Sequence, residues 1–168
     1  MNSRKSTPPS REKLLLQMSG LCAKCEQCEH DLREKMRRKG ALSADIDHVI
    51  DYLYDHRFLD EERYARAYAR DKLRFNGWGR LKIRMMLSSK RLSREAISVA
   101  MEATEIPEYS EVLEQIVRGK ARALDLSDAA DRQKLLRSVY ARGFEPQLII
   151  KAMEALRQQL RHAIDLVS

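Results

Sequence analysis

The chain has 168 residues and a mass of 19.6 kDa, enough for one domain or a short array of small units and too little for a large multidomain enzyme. Hydrophobic residues make up 43% and charged residues 34%, a mix that excludes a disordered chain, and no apolar run approaches the ~18 residues a membrane span needs. The net charge of +7, with a pI near 9.4, favours polyanionic partners.

Gly and Pro number only 6 and 4, against abundant Ala, Leu, Arg, Glu, Lys and Met, so the body is predicted to be all-α. Residues 1–10, with Pro8 and Pro9, read as a flexible tail. The first helices are predicted over Arg11 to Lys24, Glu29 to Lys39 and Ala44 to His56, with Ser10 and Ser43 as N-caps. The next run from Glu61 to Phe75, Arg80 to Lys90 and Arg94 to Thr104, capped by Asp60, Gly79 and Ser93. The last run from Tyr109 to Ala123, Asp128 to Arg142 and Pro146 onward, Pro146 suiting a first helical turn.

These nine segments repeat. Anchored on Leu32, Ile83 and Leu135, positions four further on are Met36, Leu87 and Val139; fourteen on, Ile46, Ile97 and Ile149; eighteen on, Ile50, Met101 and Met153. Eight on, where a helix must end, stand Gly40, Arg91 and Gly143. The expectation is three tandem three-helix repeats, 11–57, 58–107 and 108–168, stacked into an elongated, curved body because a unit of ~50 residues is marginal alone. The central unit would then be packed on both sides, so truncating Ile97 or Met101 is expected to be more damaging than truncating Ile46 or Ile149.

Three cysteines within seven residues fit a reducing compartment rather than a disulfide framework. With no signal-peptide stretch in MNSRKSTPPS, a cytoplasmic location is expected. Cys22, Cys25, Cys28 and His30 have a spacing that zinc could use. The repeat register instead puts Cys28 at a helix start and Cys22 and Cys25 on the apolar line of Leu15 and Met18, as small core residues, so no metal is expected. No phosphate-cradling glycine loop, GxSxG elbow or HExxH occurs. The acids Asp55, Asp60, Glu61 and Glu62 read as helix-end charges. Neither catalysis nor a cofactor is expected.

Charge is uneven along the chain. Residues 1–56 carry a net +1, residues 57–94 carry +8 and residues 95–168 carry −2. The basic stretch also holds Phe58, Tyr64, Tyr68, Phe75 and Trp78, five of the ten aromatics. Arg63, Arg66, Arg70 and Arg74 follow a spacing that lines one helical face, and Arg80, Arg84 and Arg91 extend the pattern into the next helix. Guanidinium groups pair with phosphates or carboxylates and stack on rings, so nucleic acid and an acidic protein surface both fit.

The stretch Phe58-Leu59-Asp60-Glu61-Glu62-Arg63-Tyr64-Ala65, followed by Gly77-Trp78-Gly79-Arg80-Leu81-Lys82-Ile83 and Leu87, resembles the central signature of the RecX family, regulators of the RecA recombinase. Cys28-Glu29-His30-Asp31-Leu32-Arg33-Glu34-Lys35-Met36 resembles that family's first-unit segment. The resemblance implies a non-catalytic monomer that binds the RecA filament on single-stranded DNA, with at most weak duplex binding, and limits strand exchange, ATP hydrolysis and SOS signalling. Contact candidates for RecA or DNA are Arg63, Arg66, Arg70, Arg74, Trp78, Arg80, Lys82, Arg84, Lys90 and Arg91. Two departures stand out: Cys28 where a Ser is usual, and Lys90-Arg91-Leu92 where a Lys-Gly-Ile helix end is common. The alternative from a different class is a helix-turn-helix regulator reading duplex DNA through the helix from Arg80 to Lys90.

Overall fold

A computed structural model describes residues 7–104 and 107–165; the expected tail falls mostly outside these residues. Among the described residues there are nine helices and no strand: α1 (Arg11–Cys22), α2 (Glu29–Arg38), α3 (Ser43–Asp55), α4 (Glu61–Asn76), α5 (Arg80–Ser89), α6 (Arg94–Glu102), α7 (Pro107–Ala121), α8 (Ala129–Tyr140) and α9 (Pro146–Asp165). They fall in three groups of three. Side-chain caps start α1, α4, α6 and α8, where Ser10, Asp60, Ser93 and Asp128 accept from backbone N–H groups that have no partner within the helix. The expected Ser43 cap is corrected to Leu42, which makes no side-chain cap bond, because Ser43 already lies inside α3.

The repeat is visible in the backbone. Gly40, Arg91 and Gly143, the three positions eight residues past the anchors, all have positive φ, at 77°, 61° and 89°. The register therefore imposes a left-handed residue after each second helix, and Arg91 adopts it at the steric cost a Cβ carries there.

Burial divides the molecule unevenly. The first unit has a core of Leu14, Met18, Leu32, Met36, Ile46, Val49, Ile50 and Leu53, joined from the start of the second unit by Leu59. The second and third units share one core that runs from Ala65 and Leu73 through Tyr109 and Val117 to Phe144, Ile149 and Leu156, joined from the first unit by Cys28. Within the central unit α4 and α6 pack most closely, because Ala65 and Ala69 on one helix face Ala96 and Ala100 on the other and small side chains let the two backbones approach. Ile97 is left only half-buried beside that contact, whereas Ile46 and Ile149 are fully inside. The expected ranking of core truncations is therefore corrected for Ile97, whose side chain has less contact to lose.

Candidate interaction surface and the two unit junctions

The α4 arginines share one face, as their spacing dictates, but they do not share one environment. At the N-terminal end Arg63 donates to Glu26 Oε1 at 2.5 Å and to the carbonyls of Arg57 and Phe58. At the C-terminal end Arg74 makes a bidentate pair with Glu108 at 2.6 and 2.9 Å. Arg66 is loosely paired with Glu62 at 3.6 Å, and Arg70 makes no ion pair among the described residues. The first and third units thus neutralise the two ends of the stripe and leave its middle open. Arg63, Arg66 and Arg70 line a groove of about 440 Å³ there, together with the carboxylates of Glu26, Asp60 and Glu62.

The α5 candidates separate more sharply. Arg84 is exposed and without an ion pair among the described residues. Arg80 is half-buried: its Nε donates to Thr104 Oγ1 at 3.0 Å, Nη2 to the Thr104 carbonyl at 2.9 Å and Nη1 to Glu145 at 3.3 Å, and its guanidinium lies 4.0 Å from the centre of the Tyr109 ring. The sequence placed Arg80 on an exposed stripe. The structure places it inside the junction between the second and third units, because an arginine stem can be buried while its head group finds acceptors.

That junction is built from backbone as well. Gly79 N donates to the Arg142 carbonyl at 2.8 Å and Leu81 N to the Gly143 carbonyl at 2.9 Å, while Arg80 N donates to the Tyr109 hydroxyl at 3.1 Å. Gly79 has no side chain with which to cap α5, so the third unit supplies the acceptors for the first N–H groups of that helix. The Tyr109 hydroxyl passes its own proton toward Glu145 Oε2 at 2.5 Å. Burial and that carboxylate push the phenol well above its ordinary pKa, so it remains a donor.

The junction between the first and second units is polar and thinner. Arg63 holds Glu26, Lys90 donates to Asp31, and the Tyr64 hydroxyl meets the buried Cys28 thiol. Burial is the largest single influence on Lys90 and disfavours its charged form, but the hydrogen bond and charge of Asp31, with Cys28 and Tyr68 beside it, together outweigh this and raise its pKa. Glu26 Oε2 is buried without a hydrogen-bond partner among the described residues. A basic pocket of about 300 Å³ opens beside this junction, with Arg33, Arg37, Lys90 and Arg91 in its wall.

Aromatic groups complete the surface. Trp78 is half-buried, with Lys72 and Lys82 ammonium groups 5.1 and 4.4 Å from its ring. Phe75 is 81% exposed at the end of α4 and was not among the expected contacts. The signal was present in its position, since it lies off the buried Ala65, Ala69, Leu73 line. Lys72 was missed for the opposite reason: it is an ordinary charged residue until its proximity to Trp78 is seen.

The cysteines do not converge. Cys22 is half-buried, Cys28 is buried and raised in pKa by burial, and Cys25 is exposed, with its sulfur accepting from Gln27 Nε2 at 3.0 Å. Cys25 is thus corrected from a core position, because α1 ends at Cys22 and the chain turns away. Among the described residues no three His, Cys, Asp or Glu side chains gather as metal ligands, and no helix is long and apolar enough to cross a membrane.

A family model described as the second three-helix domain of RecX matches residues 60–101, the stretch carrying the Asp60 cap and nearly all of α4 to α6. The chain is 30% identical over 115 residues to the regulatory protein RecX of Vibrio parahaemolyticus, covering 68% of this chain and 73% of that protein. It is 29% identical over 154 residues to the Salmonella paratyphi A protein of the same name, covering 86% and 92%. The crystal structure of RecX from Lactobacillus salivarius superposes with a TM-score of 0.75 at 17% identity, covering 88% of this chain and 97% of that one. A second RecX crystal structure superposes at 0.74 and 16%, covering 86% and 71%. Repeat register, central signature and similarity across most of both chains agree: the chain belongs to the RecX family of regulatory proteins.

Proposed function

We propose that this protein is a cytoplasmic monomer that binds the RecA filament on single-stranded DNA and holds back its strand exchange, ATP hydrolysis and SOS co-protease activity without catalysing a reaction itself. The observation that carries this reading is the open middle of the α4 face. Arg66 and Arg70 project with little or no ion pairing beside a groove, Arg84 is exposed on the next helix, and Phe75 and Trp78 are close in sequence with rings suited to stacking. Units 11–57, 58–107 and 108–168, set in line, would follow the filament's helical groove and gain affinity from many modest contacts. The duplex-reading alternative is weakened because Arg80, at the start of its recognition helix, is committed to the inter-unit junction.

The test is the triple variant Arg66→Ala, Arg70→Ala, Arg84→Ala. Arg74 is left intact because its pair with Glu108 ties two units together. The parent protein is expected to be pulled down by RecA only when single-stranded DNA and nucleotide assemble the filament. The variant is expected to inhibit filament ATPase at least ~10-fold less well with unchanged helicity, and each lost phosphate contact should lower the log–log salt slope by ~0.7. Undiminished inhibition by the folded variant would refute the assignment of these residues.

A further inference from the structure

The central unit carries a second kind of positive surface, made of lysines and rings rather than arginines. Tyr68 and Lys72 each stand two positions from an arginine of the stripe, Arg66 and Arg70, and so lie about 160° around α4 from it. The buried line of Ala65, Ala69 and Leu73 runs between the two faces. On the second face ammonium groups and rings alternate. Lys90 Nζ lies 5.9 Å from the centre of the Tyr68 ring, Lys72 Nζ lies 5.3 Å from that ring and 5.1 Å from the Trp78 ring, and Lys82 Nζ lies 4.4 Å from the Trp78 ring. All five side chains are half-buried, with one side left to solvent. The exposed Phe75, seven residues past Tyr68, falls on the same side of the helix. Lys90 is paired with Asp31. Lys72 and Lys82 make no ion pair among the described residues, although Asp71 adjoins Lys72 in the chain.

A solvent-exposed ammonium is held over a ring more weakly than a stacked base would be. An incoming base can therefore displace the lysine from the ring face, and the released ammonium is then free to pair with the phosphate beside that base. Alternating charge and ring matches a single strand, which offers phosphates and uncovered base faces in alternation. A duplex hides its base faces in the stack, and an acidic helix would use the lysines but leave the rings without a role. Lysine is a point charge on a flexible stem, so it can follow a backbone without a fixed geometry. None of Tyr68, Lys72, Trp78 and Lys82 has the paired donor and acceptor that reads an adenine edge. We infer that this face binds the unpaired bases of single-stranded nucleic acid directly, by stacking and without sequence preference, whether or not RecA is present. The inference rests on the reading of a partner that carries single-stranded DNA, and it adds which side chains meet the bases.

Trp78 is the one tryptophan of the chain, so its fluorescence reports the stacking without a label. The probe is an oligothymidylate of about 20 nucleotides, titrated into the full-length protein with no RecA present. Saturable quenching is expected, and a duplex of the same length should need a concentration about tenfold higher or more. Lys72→Glu and Lys82→Glu should each weaken the strand about tenfold. Tyr68→Leu, which keeps an apolar group against the core, should weaken it about fivefold or more. Circular dichroism and melting of the variants should match the parent, and the contrast between strand and duplex is read on the parent alone, so it survives a variant that misfolds. Absence of quenching, equal quenching by the duplex or by an oligoglutamate peptide, or full affinity in a folded Lys82→Glu would overturn the inference. The filament reading is scored separately by ATPase inhibition. A parent that inhibits RecA without quenching defeats only this inference, and one that quenches without inhibiting defeats only that reading.

Discussion

The two junctions of this protein join similar units by different physical means. Between the second and third units the cores are continuous, backbone groups cap a helix across the boundary, and Arg80 has acceptors for its head group and an aromatic ring beneath it. Between the first and second units the cores are two clusters that exchange only Cys28 and Leu59 among their buried residues, the boundary is held by Arg63–Glu26 and Lys90–Asp31, and one carboxylate oxygen of Glu26 is buried without a partner among the described residues. Continuous apolar burial makes two units one cooperative body, whereas solvent-accessible ion pairs add little to stability. The first unit is thus the one that local opening can release while the other two remain folded.

The sharpest way to break this contrast is at Gly79. A methyl group there would lie 2.2 Å from the Gly143 carbonyl oxygen and 2.3 Å from Phe144 N, with backbone on both sides and no flexible side chain to give way. Gly79→Ala is expected to destabilise the protein by about 3 kcal/mol or more, a loss of the size seen when packed structure must rearrange. Gly40→Ala is the control: its φ is 77° but nothing lies within 4 Å of the added methyl, so only the left-handed strain of about 1 kcal/mol applies. Equal losses in urea midpoints would show that the second junction is not locked through its backbone.

The same site shows where the sequence was and was not informative. Helix ends were readable because capping is local: Ser10, Asp60 and Ser93 lie three residues from the N–H groups they accept, although Asp128, expected inside α8, is also a cap. The left-handed positions were readable because they recur in register. The approach of Gly79 to Gly143 was not, since these residues are 64 apart and nothing near either reports the other. Arg80 was misplaced because helical spacing gives direction around a helix but not which neighbour will cover it. On α4, spacing correctly gathered four arginines on one face, yet the acids that neutralise two of them, Glu26 and Glu108, come from other units.

A smaller effect is expected from Tyr109→Phe, which removes the hydroxyl linking Arg80 N to Glu145 while leaving the ring in place. Leaving these partners unsatisfied typically costs about 1–3 kcal/mol. The matching change at the other junction, Lys90→Met, removes the Asp31 pair and is expected to cost about 1 kcal/mol or less. It should act on the first unit alone, raising hydrogen exchange in α1 to α3 while α4 to α9 stay protected. If Lys90→Met opens the second and third units as well, the two junctions are coupled and the contrast fails.

The smallest expected effect sharpens the comparison by pH. Glu108, at the surface end of the second junction, has its pKa held below the ordinary 4.5 by its hydrogen bonds from Arg74. A carboxyl with a depressed folded pKa contributes stability that is present above the unfolded pKa and lost as pH falls through the folded one. The melting temperature of the parent should therefore exceed that of Glu108→Gln by a constant margin above about pH 5.5, and the margin should close as the solution is acidified below about pH 4. Because both partners lie at the surface, the margin should also shrink in 0.5 M salt, where the screening length falls to about 4 Å. A margin that persists at pH 3 would mean that Glu108 acts through packing rather than charge, and the ends of the arginine stripe would then be fixed by shape and not by neutralisation.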